Sequence, residues 1–185
     1  MPINVDLGGI ANAITAAAES LGKFADSVSK VASLSIAGYD EVTARKDQAR
    51  LKQLYMKLVD YETVQGNAEH ALETYIKYCE SGATEAHLGP IWSEFRSKID
   101  TLAAELTPIV EAWKTEQADF ILEEAYVTLR KTLSVRSELF FDFLKMDEPK
   151  TAEEVAQVRL LHQAWTHLMS ELKRSRVALS SYLSK

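Results

Sequence analysis

Apolar residues return along most of this chain at alternating intervals of three and four. Near the N-terminus the run is Leu7, Ile10, Ile14, Ala17, Leu21, Phe24, Val28, Val31 and Ser35. That spacing puts every member on one face of a helix and predicts side-by-side packing at a shallow crossing angle. A second register beside it, Ala11, Ala18, Ala25 and Ala32, is alanine at every seventh position. Small side chains there let a neighbouring backbone come close. Asp6 suits an N-cap and Gly38 a stop.

A second run begins at Leu51 and continues through Leu54, Leu58, Tyr61, Gln65, Ala68, Leu72, Tyr75 and Cys79. Its phase holds across Gly66, which costs about 1 kcal/mol against alanine inside a helix. One helix closed by Gly82 is therefore expected. After Gly89 and Pro90 a third run follows: Trp92, Phe95, Ile99, Leu102, Leu106, Ile109 and Trp113. Pro108 lies within it and is expected to kink it. Beyond Trp113 the phase shifts to Leu122, Tyr126, Leu129, Leu133, Phe140 and Phe143. One bent helix and two separate helices fit this stretch equally.

The last run is Val155, Val158, His162, Trp165, Met169, Leu172, Leu179 and Leu183. Thr151, with Glu154 three residues on, forms a capping-box signature at its start. No stretch alternates with the period of two that strands require. The expectation is an all-α protein: an elongated antiparallel bundle of four to five long amphipathic helices with coiled-coil-like heptad packing. The helices are placed at about 7–36, 40–81, 90–116, 118–146 and 151–184, in a single domain, 1–185.

Composition narrows the function more than the fold. The formal net charge is −6 and the pI about 5.3. A nucleic-acid binder needs a basic surface to neutralise phosphates, so none is expected. The single cysteine, Cys79, allows no intrachain disulfide, which fits a reducing compartment. The N-terminus lacks the basic start of an export signal. Its uncharged stretch, Leu7–Ala18, falls short of the roughly 20 apolar residues that span a bilayer. A cytoplasmic location is expected, with export by a dedicated machine left open.

Chemistry is sought first among the histidines, His70, His87, His162 and His167. A di-iron bundle uses Glu-x-x-His, yet the residues three before them are Asn67, Thr84, Arg159 and Ala164. His162 and His167 are five apart, on different helix faces. Glu123–Glu124 and Glu153–Glu154 are adjacent in sequence, so each pair points about 100° apart and cannot flank one bond. Cys79 sits in a seam with no evident basic partner, so a structural thiol is expected. No phosphate loop, nucleophile elbow or dinucleotide fingerprint is present. The basic residues Arg45, Lys46, Arg50, Lys52 and Lys57 interleave with Asp40, Glu41, Asp47 and Asp60, as charge pairing along a helix does. Tyr55, Tyr61, Tyr75 and Tyr78 suit core packing. No metal and no cofactor is expected, and no enzymatic activity.

The candidate binding residues are those of the first seam: Leu7, Ile10, Ile14, Ala18, Leu21, Phe24, Val28 and Val31. They serve either packing inside the bundle or a seam offered to a partner. The leading expectation is a non-catalytic interaction or assembly protein, joined by helix packing to a protein partner or to copies of itself. The alternative is a membrane-active bundle of the pore-forming type whose N-terminal helix moves. An enzyme with an unrecognised site stands third. The first helix carries only Lys23 and Lys30 against Glu19 and Asp26, without the basic polar face of surface-bound membrane helices. Membrane contact is thereby disfavoured, though left open.

Overall fold

The computed structural model of the chain describes residues 7–33, 41–115 and 148–184. These form four helices: α1 (Leu7–Ser33), α2 (Glu41–Glu80), α3 (Glu85–Thr115) and α4 (Ala152–Leu183). Among the described residues there is no strand. The expected helix over 118–146, the cap at Asp6, the stop at Gly38 and the Glu123–Glu124 pair lie outside them.

α2 runs unbroken through Gly66. At its end Gly82 takes a φ of +73°, a left-handed conformation that glycine enters without penalty. The Ala83 N–H then donates to the Tyr78 carbonyl and the Gly82 N–H to the Cys79 carbonyl, both at 3.3 Å. This Schellman arrangement satisfies two carbonyls the helix end leaves open.

α3 starts earlier than the Gly89–Pro90 pair predicted. The Thr84 carbonyl accepts from the N–H groups of His87 and Leu88, at 2.8 and 3.1 Å. The Thr84 hydroxyl also lies 2.8 Å from the His87 ring nitrogen Nδ1. Thr84 thus opens the helix at Glu85. Pro90 then lies in the second turn, where it lacks the donor that would have met the Ala86 carbonyl and its ring crowds that carbonyl.

The start of α4 follows its sequence signature. The Glu154 N–H donates to Thr151 Oγ1 at 3.1 Å, and Glu154 Oε2 accepts from the Thr151 N–H at 2.8 Å. The Lys150 N–H adds a third bond at 2.7 Å. These backbone donors, Lys150 first and Thr151 second, hold the Glu154 carboxyl below the usual range.

Among the described helices α1 packs along α4, α4 on α2, and α2 on α3. α4 therefore has two described neighbours. Its buried residues are Val158, Leu161, Ala164, Trp165, Leu168, Leu172, Ser175 and Leu179. That stripe is wider than the single seam the spacing predicted. Leu161 and Leu168 take buried places, while His162 and Met169 are half-buried at the edge.

α2 and α4 run antiparallel. Met56 shares a cleft with Ser180, Glu62 meets Arg176, Glu69 meets His162, and Glu80 meets Arg159. The direction of α1 follows from chain length. Residues 34–40 join it to α2 and can bridge at most about 30 Å at 3.3–3.6 Å per residue. The N-terminal part of α2, at Gln48 and Lys52, lies beside Ser180–Ser184 at the end of α4. The C-terminal end of α1 must lie near that same end, so α1 runs parallel to α4.

Candidate functional site

The candidate seam lies inside the chain. Leu7, Ile10 and Ile14 are buried, and Ala18, Leu21, Phe24 and Val28 have no exposed surface at all. Ala17 and Ala25 are buried with them. The Val31 side chain lies outside the described residues. Each large apolar side chain so buried contributes about 1.5–3 kcal/mol.

What brings α1 so close to α4 is its small residues. A Cβ on Gly22 would lie 3.0 Å from Glu171 Oε2 and 3.6 Å from Arg174 Nη1, so Gly22 faces α4 directly. Ala18 and Ala25, four before and three after it, share that face. The approach is close enough for the buried Ser175 hydroxyl to donate to the Leu21 backbone carbonyl at 3.0 Å. At the rim, Arg174 pairs with both Asp26 and Glu171.

The α2–α4 contact is built differently. Large side chains fill it, and polar pairs cross it. Buried Gln65 accepts from the Trp165 indole N–H at 2.8 Å. Glu62 accepts from Arg176 Nε at 2.6 Å, in a half-buried pair. This bond, with a second that Arg176 donates to the Tyr55 hydroxyl oxygen, raises the Arg176 pKa, so its charge is fixed. Glu69 Oε1 lies 2.8 Å from His162 Nε2 and also accepts from the Thr166 hydroxyl at 3.0 Å. Glu80 and Arg159 approach to 3.4 Å in the open.

α2 meets α3 through aromatic rings. Tyr75 and Trp92 lie 4.7 Å apart between centroids, and Trp92 and Phe95 5.1 Å. The Tyr75 hydroxyl donates to the Pro149 carbonyl at 3.4 Å, which ties α2 to the segment entering α4. Burial raises the Tyr75 pKa, keeping the phenol protonated. Tyr61 is buried as well, Tyr55 is half-buried and Tyr78 is exposed.

The titratable groups outside these contacts are scattered. His70 is exposed beside Glu73, His87 meets the Thr84 hydroxyl in the first turn of α3, and His167 is exposed. Lys77 lowers the Glu73 pKa through a hydrogen bond. Among the described residues no three or more His, Cys, Asp or Glu side chains gather as a metal would require. Cys79 is half-buried, and Arg159 supplies the basic neighbour that its sequence context did not reveal. Burial outweighs that charge and pushes the thiol pKa up, which disfavours the thiolate.

One open cleft of about 570 Å³ lies where α2 and α4 part, lined by Gln48, Lys52, Tyr55, Met56, Ser180 and Leu183 among others. Lys52 is the described member of the basic stretch that lines it. Arg45, Lys46 and Arg50 have side chains outside the described residues. The cleft's described lining mixes polar groups, Gln48, Lys52 and Ser180, with the apolar surface of Met56 and Leu183.

The polar members of these contacts were only faintly marked in the sequence. Gln65 was the lone polar residue in its run. Ser175 fell in the gap between Leu172 and Leu179, where the last run skipped a step. Compared with protein-family models, curated proteins and solved structures, the chain matches none of them.

Proposed function

We propose that this protein is a non-catalytic helical interaction or assembly protein, acting through helix–helix packing with itself or with a partner protein. In this reading the chain is a single domain, 1–185, an elongated bundle of four to five helices with coiled-coil-like heptad packing. Its place is the cytoplasm, with no nucleic acid, metal or cofactor.

One observation carries the reading. α1 presents a continuous apolar seam, and among the described helices that seam has one neighbour, α4. A two-helix contact of this kind is what a second chain can supply in place of the first. The length of α2, roughly 60 Å at 1.5 Å per residue, offers a further long surface for association. Exposed Met56 and Tyr78 on α2, with Leu160 and Val177 on α4, are apolar points on the outer faces.

The test is the solution mass of the chain alone, with a pull-down from its source extract beside it. Self-association gives a mass above that of one chain, and partner binding gives a stoichiometric companion. One chain's mass and no companion would remove the reading.

The single described neighbour of α1 also favours the second reading, a membrane-active bundle in which α1 swings out. Two facts weigh against it. No described helix is long and apolar enough to cross a membrane. α1 balances Lys23 and Lys30 against Glu19 and Asp26, so anionic lipid gives it no electrostatic help. Dye release from anionic vesicles at submicromolar protein would place this reading first.

A further inference from the structure

The seam between α2 and α4 repeats in a way that leaves its own alignment ambiguous. Every seventh residue along α2 gives Leu51, Leu58, Gln65 and Leu72, all buried. Every seventh along α4 gives Val158, Trp165, Leu172 and Leu179, all buried. Sliding one helix past the other by seven residues sets apolar side chains against apolar side chains again. Within these two rows hydrocarbon burial, being non-directional, distinguishes such alignments only weakly.

One residue in each series breaks the repeat, and the two face each other. The Trp165 indole N–H donates to Gln65 Oε1 at 2.8 Å, inside the buried seam. Gln65 Nε2 has no hydrogen-bond partner, so this one bond is what accommodates the buried amide. After a slide of seven residues Gln65 would face Val158 or Leu172, and Trp165 would face Leu58 or Leu72. None of these side chains carries a donor or an acceptor. The bond would be lost and the amide oxygen left stranded away from water.

We infer that the Gln65–Trp165 pair is a register key: it selects, among apolar alignments of similar burial, the one in which α2 and α4 pack. A buried polar residue that fixes register at a cost in stability is the best-attested use of such groups. The flanking pairs Glu62–Arg176 and Glu69–His162 are each about a fifth to a quarter exposed. A slide of seven residues, about 10 Å, parts them too, but partly solvated groups can turn to water when parted, so they discriminate less than a buried amide. The inference holds whether or not the chain assembles.

The test reads the alignment directly, in full-length protein with Cys79→Ser. Met169→Cys is combined with Gly66→Cys for the native alignment: a Cβ at position 66 meets the Met169 terminal carbon at an ordinary 3.5 Å, so the two thiols are separated by about the length of the removed methionine side chain, which a short bifunctional thiol reagent spans. It is combined with Val59→Cys or Glu73→Cys for alignments slid by seven. With Gln65 and Trp165 in place, only the 66–169 cross-link should form. With Gln65→Leu and Trp165→Phe together, helix content should persist while 59–169 or 73–169 rises from undetectable to a yield comparable with the native link. Glu62→Gln with Glu69→Gln should leave the native link alone. The inference is overturned if the apolar double variant still forms only the 66–169 cross-link. It is equally overturned if that variant loses its helix content, since the pair would then hold the fold and not its alignment.

Discussion

The two contacts that α4 makes among the described helices are held by opposite means. Against α1 the contact is governed by smallness: Gly22, Ala18 and Ala25 let the backbones approach until a serine hydroxyl on one helix reaches a carbonyl on the other. Against α2 the contact is governed by bulk and by polar pairing: Leu58, Tyr61, Leu72 and Trp165 fill the space, and Gln65, Glu62 and Glu69 cross it. One helix thus carries two kinds of specificity. The first resists enlargement, because a Cβ at Gly22 already lies 3.0 Å from the Glu171 carboxylate. The second tolerates no truncation, because nothing nearby refills the gap.

The sharpest break is a charge placed in the α1 seam. Phe24 has no exposed surface. Phe24→Asp buries an unpaired carboxylate, or forces it to take up a proton, and should cost several kcal/mol. Chemical denaturation should show a lost or severely shifted transition. An unchanged transition would mean that the seam is not packed.

Truncation and enlargement then separate the two contacts. Leu58→Ala, on the face that carries Gln65 a heptad later, should cost about 2–5 kcal/mol by loss of burial and by the cavity left. Ala18→Leu, on the face that carries Gly22, should cost about 1–3 kcal/mol by overpacking. The same two substitutions judged by apolar content alone would differ in sign, since the second adds hydrocarbon. Urea midpoints of both variants decide between size and apolarity as the rule for α1. A stabilised Ala18→Leu would erase the contrast drawn here.

Smaller effects belong to the start of α4. Thr151→Ala removes the cap and should cost about 0.5–2 kcal/mol. Glu154 adds a pH signature. Its folded pKa lies below the unfolded glutamate value of about 4.3, so its contribution is complete above that pH and is lost as pH falls through the folded value. Glu154→Gln should therefore flatten the acid limb of the stability profile and leave its slope near neutrality unchanged. An acid limb identical to that of the unsubstituted protein would show that the capping carboxylate adds nothing.

How much of this was legible in sequence varies with the physics involved. The helical class was legible because apolar spacing is a one-dimensional property of each segment. The cap at Thr151 and the stop at Gly82 were legible because capping uses residues three to five apart. The start of α3 was misplaced, because Pro90 is a strong marker and Thr84 a weak one. In the candidate seam, the residues were nameable but their neighbour was not. Which helix faces Ala18 or Gly22 depends on contacts about 150 residues away in sequence, such as Leu21 with Ser175. The Gln65–Trp165 bond was hidden for the same reason, since each partner alone looks like an irregularity in its own run.

Association with further chains, on which the proposed function rests, is read from solution mass. Light scattering on the purified chain, and on the chain gently re-isolated from its source extract, reads the answer without any assumption about the partner. An associating chain shows a mass above the 20.7 kDa of one chain in at least one of the two samples. A mass of one chain in both would contradict the proposed function.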